Sequence, residues 1–193
     1  MPLLTAIIGS TRPVRAGLPI AQWFTSVADA DGRFDVEVAD LAEIDLPMLS
    51  EPHHPRLRRY ELESTHAWSA RVERSDAFVV VTPEYNYGYP APVKNALDHL
   101  SSEWAYAPVG FVSYGGIAAG TRAVQQLKQV VTTLRMVPVF ESVNIPFHAQ
   151  HIADGVFSPS EATAQAAGEM LDELVRVEAA LHDLRASTRL TAS

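Results

Sequence analysis

The 193 residues include no cysteine. Disulfide staples, thiolate nucleophiles, iron–sulfur ligation and thiol-rich zinc sites are excluded together, so any redox chemistry has to come from a bound cofactor. Positive charge is scarce as well: 15 Lys and Arg stand against 23 Asp and Glu, a formal net charge of −8. Such a chain has no basic footprint for a phosphodiester backbone, and nucleic acid is not an expected partner. Long hydrophobic runs are missing too. Nothing approaches the ~20 consecutive apolar residues of a membrane span. The opening Met-Pro-Leu-Leu-Thr-Ala-Ile-Ile-Gly has neither the cationic start nor the apolar length of a secretory signal. The expectation is a cytoplasmic protein without a membrane partner.

What is present is a hydrophobic fraction of 47%, enough for one globular domain over residues 1–185, with residues 186–193 read as a flexible polar tail. No internal repeat or low-complexity tract interrupts the pattern. Short apolar runs alternate with longer amphipathic ones. Strands are read at residues 3–8, 34–41, 76–82, 109–113 and 137–143, and helices at about 18–30, 59–74, 93–100, 121–135 and 159–184. Ile20, Phe24 and Val27 share one face of the first helix, and Ala123, Leu127, Val130 and Leu134 mark a 3.6-residue period in the fourth. Residues 42–58, with three prolines and two adjacent histidines, read as a long irregular connection. Strands alternating with helices predict right-handed crossovers and a parallel five-stranded sheet covered on both faces, a doubly wound α/β fold. Such sheets bind ligands beyond the carboxyl ends of their strands. The loops after strands one, three and four are therefore the candidate site.

The first of these runs Gly9-Ser10-Thr11-Arg12-Pro13-Val14-Arg15-Ala16-Gly17-Leu18 and ends at a helix start. Gly9 and Gly17 permit tight backbone, Ser10 and Thr11 offer hydroxyls, and Arg12 and Arg15 offer guanidinium forks. Together they suit an anion; an ordinary polar turn with two solvated arginines uses the same residues. A helix N-terminus is worth about 0.3–1 kcal/mol to a charge, each hydrogen bond to a charged group about 1.5–3, so Ser10 and Arg12 should outweigh the dipole. No Gly-Lys-Ser/Thr ending and no Gly-x-Gly-x-x-Gly is present.

The second loop holds Pro83, Glu84, Tyr85, Asn86, Tyr87 and Pro90. The prolines stiffen it, Glu84 and Asn86 can meet the polar edge of a heterocycle, and the tyrosines can wall its faces. The third, Ser113-Tyr114-Gly115-Gly116, offers small residues whose amides can form a nest for negative charge. Its spacing from Gly110 is wrong for a serine nucleophile elbow. His148 and His151 have helical spacing without a matching carboxylate and read as structural or surface residues, so no metal site is expected. Asp40, Glu43, Asp45 and Glu51 read as the solvated rim of the long loop. The basic stretch 53–59 could attract the extra phosphate of NADPH through Arg56, Arg58 and Arg59, or lie in water or a subunit contact.

Gly9-Ser10-Thr11-Arg12, with Pro83-Glu84-Tyr85-Asn86 and the following Pro90, Lys94, Asn95 and Asp98, resembles the NADPH-dependent FMN reductase family over about residues 3–185. The resemblance implies a flavodoxin-like sheet in the order 2-1-3-4-5 and bound FMN, with NADPH or NADH as co-substrate. It places the phosphate on Ser10, Arg12 and the backbone to Leu18, and the isoalloxazine between Pro83–Tyr87 and Ser113–Gly116. It also implies a homodimer or homotetramer that reduces a flavin, quinone, azo compound or metal oxyanion. Where many relatives carry a serine late in the first loop, this chain has Ala16-Gly17, and Arg15 is expected to take over that contact. Amides around Gly115 and Gly116 are expected to steady charge on the reduced flavin, and no side chain is assigned as a catalytic acid or base. A flavodoxin-like FMN electron carrier acting on protein partners is the alternative.

Overall fold

The computed structural model describes residues 1–192. Five parallel strands, β1 (Leu3–Ile8), β2 (Asp35–Asp40), β3 (Ala77–Pro83), β4 (Pro108–Tyr114) and β5 (Val137–Pro138), lie in the order β2-β1-β3-β4-β5. This is the expected doubly wound, flavodoxin-like arrangement. The central strand β3 reads Ala-Phe-Val-Val-Val-Thr-Pro and is buried at every position, because helices cover both faces and leave no wet side to encode. Phe78 and Val80 point into one layer with Trp68, Trp104, Phe111 and Leu127. Val79 and Val81 point into the other with Phe24, Val112, Met170 and Leu174. At the sheet edge, β2 keeps polar positions, as its sequence Asp-Val-Glu-Val-Ala-Asp requires.

Helix α1 (Gly17–Asp31) buries Ile20, Ala21, Phe24 and Ala28 along one stripe, and ends where Gly32 turns left-handed at φ 73°. Fully burying a side chain such as Phe24 contributes about 1.5–3 kcal/mol. The long connection contains a short helix α2 (Leu41–Ile44) and a single turn at Pro55–Leu57. It is stitched down by Asn95, which accepts from the Leu49 amide at 2.9 Å and donates to the Pro47 carbonyl at 2.8 Å. Glu51 accepts the amides of Glu61 (2.8 Å) and Leu62 (3.1 Å), immediately ahead of α3 (Glu63–Arg74). That helix starts four residues later than expected, since the chain is still extended at Leu62. The remaining helices are α4 (Ala91–Asp98), α5 (Thr121–Thr133) and α6 (Glu161–Ala192).

Two expectations are corrected, and one element is new. The fifth strand does not run unbroken over 137–143. Its last bond to β4 is from the Val139 amide to the Val109 carbonyl at 3.0 Å, after which it bulges outward with Phe140 88% exposed and rejoins β4 as β6 (Val143–Ile145). A hairpin, β7 (Ile152–Ala153) and β8 (Val156–Phe157), precedes α6. It turns on Asp154 (φ 51°) and Gly155 (φ 77°). Finally, α6 continues to Ala192 through most of the segment read as a tail. No glycine or proline follows Gly168 to stop it, and Arg185, 4% exposed, donates to the carbonyls of Ala105 (2.7 Å) and Ser75 (2.8 Å).

Candidate functional site

The loops after β1, β3 and β4 converge on one cleft of about 670 Å³ at the carboxyl end of the sheet. The first loop leaves β1 at Gly9, whose amide donates to the Val81 carbonyl at 2.9 Å. A Cβ there would sit 2.5 Å from Val93 Cγ2, so only glycine lets the chain pass between β3 and α4. Ser10 follows, 1% exposed, with its hydroxyl 2.8 Å from that of Tyr85. Arg12 is exposed and has no bonding partner among the described residues. Ala16 supplies no side-chain cap to α1, which leaves the first-turn amides facing the loop. Gly17 serves a neighbour: a Cβ on it would lie 2.7 Å from the Tyr114 hydroxyl.

The second loop is a two-residue hairpin. Tyr85 and Gly88 exchange hydrogen bonds of 2.8 and 3.0 Å across Asn86 (φ 50°) and Tyr87 (φ 73°), a turn whose twist demands left-handed backbone at both central positions. At Tyr87 that conformation costs about 1–3 kcal/mol. The outside of the hairpin is braced by α5. Arg122 donates through Nε to Glu84 at 2.6 Å and through its amide at 3.2 Å. Its guanidinium also stacks 3.8 Å over the Tyr87 ring. Gln126 donates to the Tyr87 carbonyl at 3.0 Å.

The third loop is tied inward. Ser113 is buried and donates to the Ala119 carbonyl at 2.8 Å. The Gly115 amide donates to the Ile145 carbonyl at 3.2 Å, and the Gly115 carbonyl accepts from the amide (3.3 Å) and Nδ1 (2.9 Å) of His148. A carbonyl only accepts, so His148 carries its proton on Nδ1. The Tyr114 phenol is held above its ordinary range by burial first and then by the neighbouring Tyr85 hydroxyl, against the opposing pull of Ser10, Arg15 and Arg12. It is therefore a neutral hydroxyl at any working pH.

Of the residues expected from sequence, Ser10, Arg12, Arg15, Leu18, Pro83, Glu84, Tyr85, Tyr114 and Gly115 line this cleft. The others do not. Thr11 faces a separate hollow of about 330 Å³ beside Leu41, Asp45 and Met48. Asn86 and Tyr87 form the exposed hairpin tip, Ser113 is turned into the sheet, and Gly116 is exposed beside it. Glu84 lines the wall, but its carboxylate is taken by Arg122. The Gly115 amide, expected to face a ligand, is spent on Ile145. Arg15 pairs with Asp40, which is 4% exposed and no part of a solvated rim. In the basic stretch, Arg58 turns to Glu73 and Glu103. Arg56 borders a hollow with Ser101 and Arg135, at the amino ends of β4 and β5 and so at the opposite pole of the sheet. The stretch therefore does not reach the cleft.

Sequence reasoning missed the far wall, made by His148, Ile152 and Gly155. The Asp154-Gly155 pair between Ile152-Ala153 and Val156-Phe157 was the available signal, a dipeptide suited to a tight hairpin.

Over residues 2–150 the chain matches the family model described as NADPH-dependent FMN reductase. It is 39% identical over 173 residues to an NAD(P)H-dependent FMN reductase of Schizosaccharomyces pombe, covering 88% of this chain and 85% of that protein. It is 35% identical over 141 residues to an NAD(P)H-dependent FMN reductase of Saccharomyces cerevisiae, covering 67% and 73%. In fold it is similar to FerB, a flavoenzyme NAD(P)H:(acceptor) oxidoreductase from Paracoccus denitrificans. The TM-score is 0.72 at 24% identity, over 92% of this chain and 97% of that one. The family resemblance of the two loop motifs thus extends over most of the molecule, and the chain belongs to the NADPH-dependent FMN reductase family.

Proposed function

We propose that the protein is an FMN-dependent NAD(P)H oxidoreductase that passes two electrons to a small acceptor: a flavin, quinone, azo compound or metal oxyanion. The observation that carries this reading is the convergence of Ser10, Arg12 and the uncapped start of α1 at one end of a cleft whose other walls are Pro83, Tyr85 and Tyr114. That donor set fits a phosphorylated flat ring. A hydroxyl, an unpartnered guanidinium and helix amides meet the phosphate, and rigid apolar and aromatic walls meet the ring. The volume lies within the roughly 300–1,000 Å³ usual for cofactor sites.

FMN, when bound, supplies the two-electron chemistry, taking hydride from the nicotinamide and giving it up to the acceptor with a proton from solvent. The protein's share is positioning. Ser10 and Arg12 anchor the phosphate end. The hairpin at Tyr85–Gly88, stiffened by its left-handed turn and by Arg122, keeps one wall from yielding. Tyr114 donates or accepts a hydrogen bond without ionising. The Nδ1 proton of His148 is committed to Gly115, which leaves only its Nε2 for another partner.

A cytoplasmic homodimer or homotetramer is part of the same reading. Its association is supported by exposed apolar residues on the first and third loops, with Val14 at 89% and Ile117 at 83%. The decisive experiment mixes FMN-loaded protein with NADPH without oxygen. The yellow colour is expected to bleach within the mixing time and return on adding a quinone. Colour that persists over many minutes would refute the enzyme and leave at most a carrier.

A further inference from the structure

Arg15 borders the cleft, yet its guanidinium is engaged by a carboxylate that lies outside it. Its Nη2 donates to Oδ2 of Asp40, the last residue of β2, while Oδ1 of the same carboxylate accepts the Ala42 amide at 3.0 Å. Both partners are largely shut off from water, at 13% and 4% side-chain exposure. The Arg15 Nε is buried with no partner among the described residues, so Asp40 alone holds the head group. Arg15 directly precedes Ala16, whose carbonyl accepts the first helical bond of α1, from Ile20. Where Arg15 is pinned therefore decides where the first-turn amides of α1 point. Buried ion pairs seldom add net stability, and a fixed geometry is their better-attested product.

We propose that Arg15 is a positioning residue, and that Asp40, which lies outside the cleft, sets the affinity for the phosphate of FMN by bracing the loop through it. This inference rests on the FMN reading and divides the work between the two arginines: Arg12 meets the phosphate itself, and Arg15 aims the first-turn amides of α1 at it.

The opposite arrangement, in which Asp40 withholds Arg15 from the phosphate, predicts an effect of opposite sign. Asp40→Asn removes the charge and keeps an oxygen for the Ala42 amide. Asp40→Ser, also a good helix cap, is a second variant should the first not fold. Affinities for FMN and for riboflavin, which lacks the phosphate, are read by quenching of flavin fluorescence in the full chain. Under the proposal, Asp40→Asn weakens FMN by about tenfold or more. Arg15→Gln does the same, and the double variant is no weaker than the worse single one. Arg12→Ala adds its loss in full to that of Asp40→Asn, and riboflavin affinity stays within about twofold throughout.

FMN bound as tightly or more tightly by Asp40→Asn overturns the bracing role. So does an equal loss for riboflavin, which would mean general collapse of the cleft. Failure of the unaltered protein to bind FMN defeats the underlying reading as well, and is seen without any variant.

Discussion

Ser10 and Gly17 act on the cleft in different ways, and their substitutions separate the two roles. In the proposed reading Ser10 offers a hydroxyl to the phosphate, so Ser10→Ala is expected to raise the FMN dissociation constant about tenfold or more, measured by fluorescence quenching, with little change in unfolding temperature. Gly17 contributes empty space. Gly17→Ala pushes a methyl into the buried Tyr114 hydroxyl and is expected to cost about 1–3 kcal/mol in urea unfolding. At this scale the identity of the site residues was largely legible, because hydroxyls, arginines and tyrosines at strand ends announce a ligand by chemistry. Their directions were not. Arg15, Glu84, Ser113 and the Gly115 amide look available in the sequence, but Asp40, Arg122, Ala119 and Ile145 take them up. Most of those partners lie tens of residues away, and only folding brings them near.

Elements were legible where pattern and covering agree. The runs at β1, β3 and β4 are mainly apolar because two helical layers bury them. Boundaries failed where an apolar residue is left outside the core, as Phe140 is in the fifth strand. The β7–β8 hairpin shows the converse, a strong turn dipeptide between runs too short to register as strands.

The join between the long loop and α3 makes a pH prediction. Burial raises the Glu51 carboxyl, but the amides of Glu61 and Leu62, with Thr65 and His66, more than offset this and hold it below its ordinary 4.5. A depressed folded value means stabilisation that is present above 4.5 and lost as the pH falls through the folded value. Glu51→Gln is therefore expected to unfold more easily than the unaltered protein at pH 7. The gap should close towards pH 3 in a series of urea titrations. A gap that does not depend on pH would exclude the carboxylate as its source.

At the scale of the whole molecule, the parallel doubly wound sheet and the position of the cleft followed from the alternation of strands and helices, and the strand order from the family resemblance. The extent of α6 did not, because a polar sequence does not announce that Arg185 is buried. Arg185 on α6 reaches the carbonyls that close α3 and precede β4, joining the last helix to the opposite side of the sheet from the one it packs on. Arg185→Ala is expected to cost about 3 kcal/mol in thermal or urea unfolding, since buried carbonyls are left unpaired.

For anyone trimming or tagging this protein, that contact sets a practical limit. A cut ahead of residue 185 pulls a rivet from the far layer, whereas a fusion appended beyond residue 192 leaves it seated. The residue read as the last of the domain is its fastening.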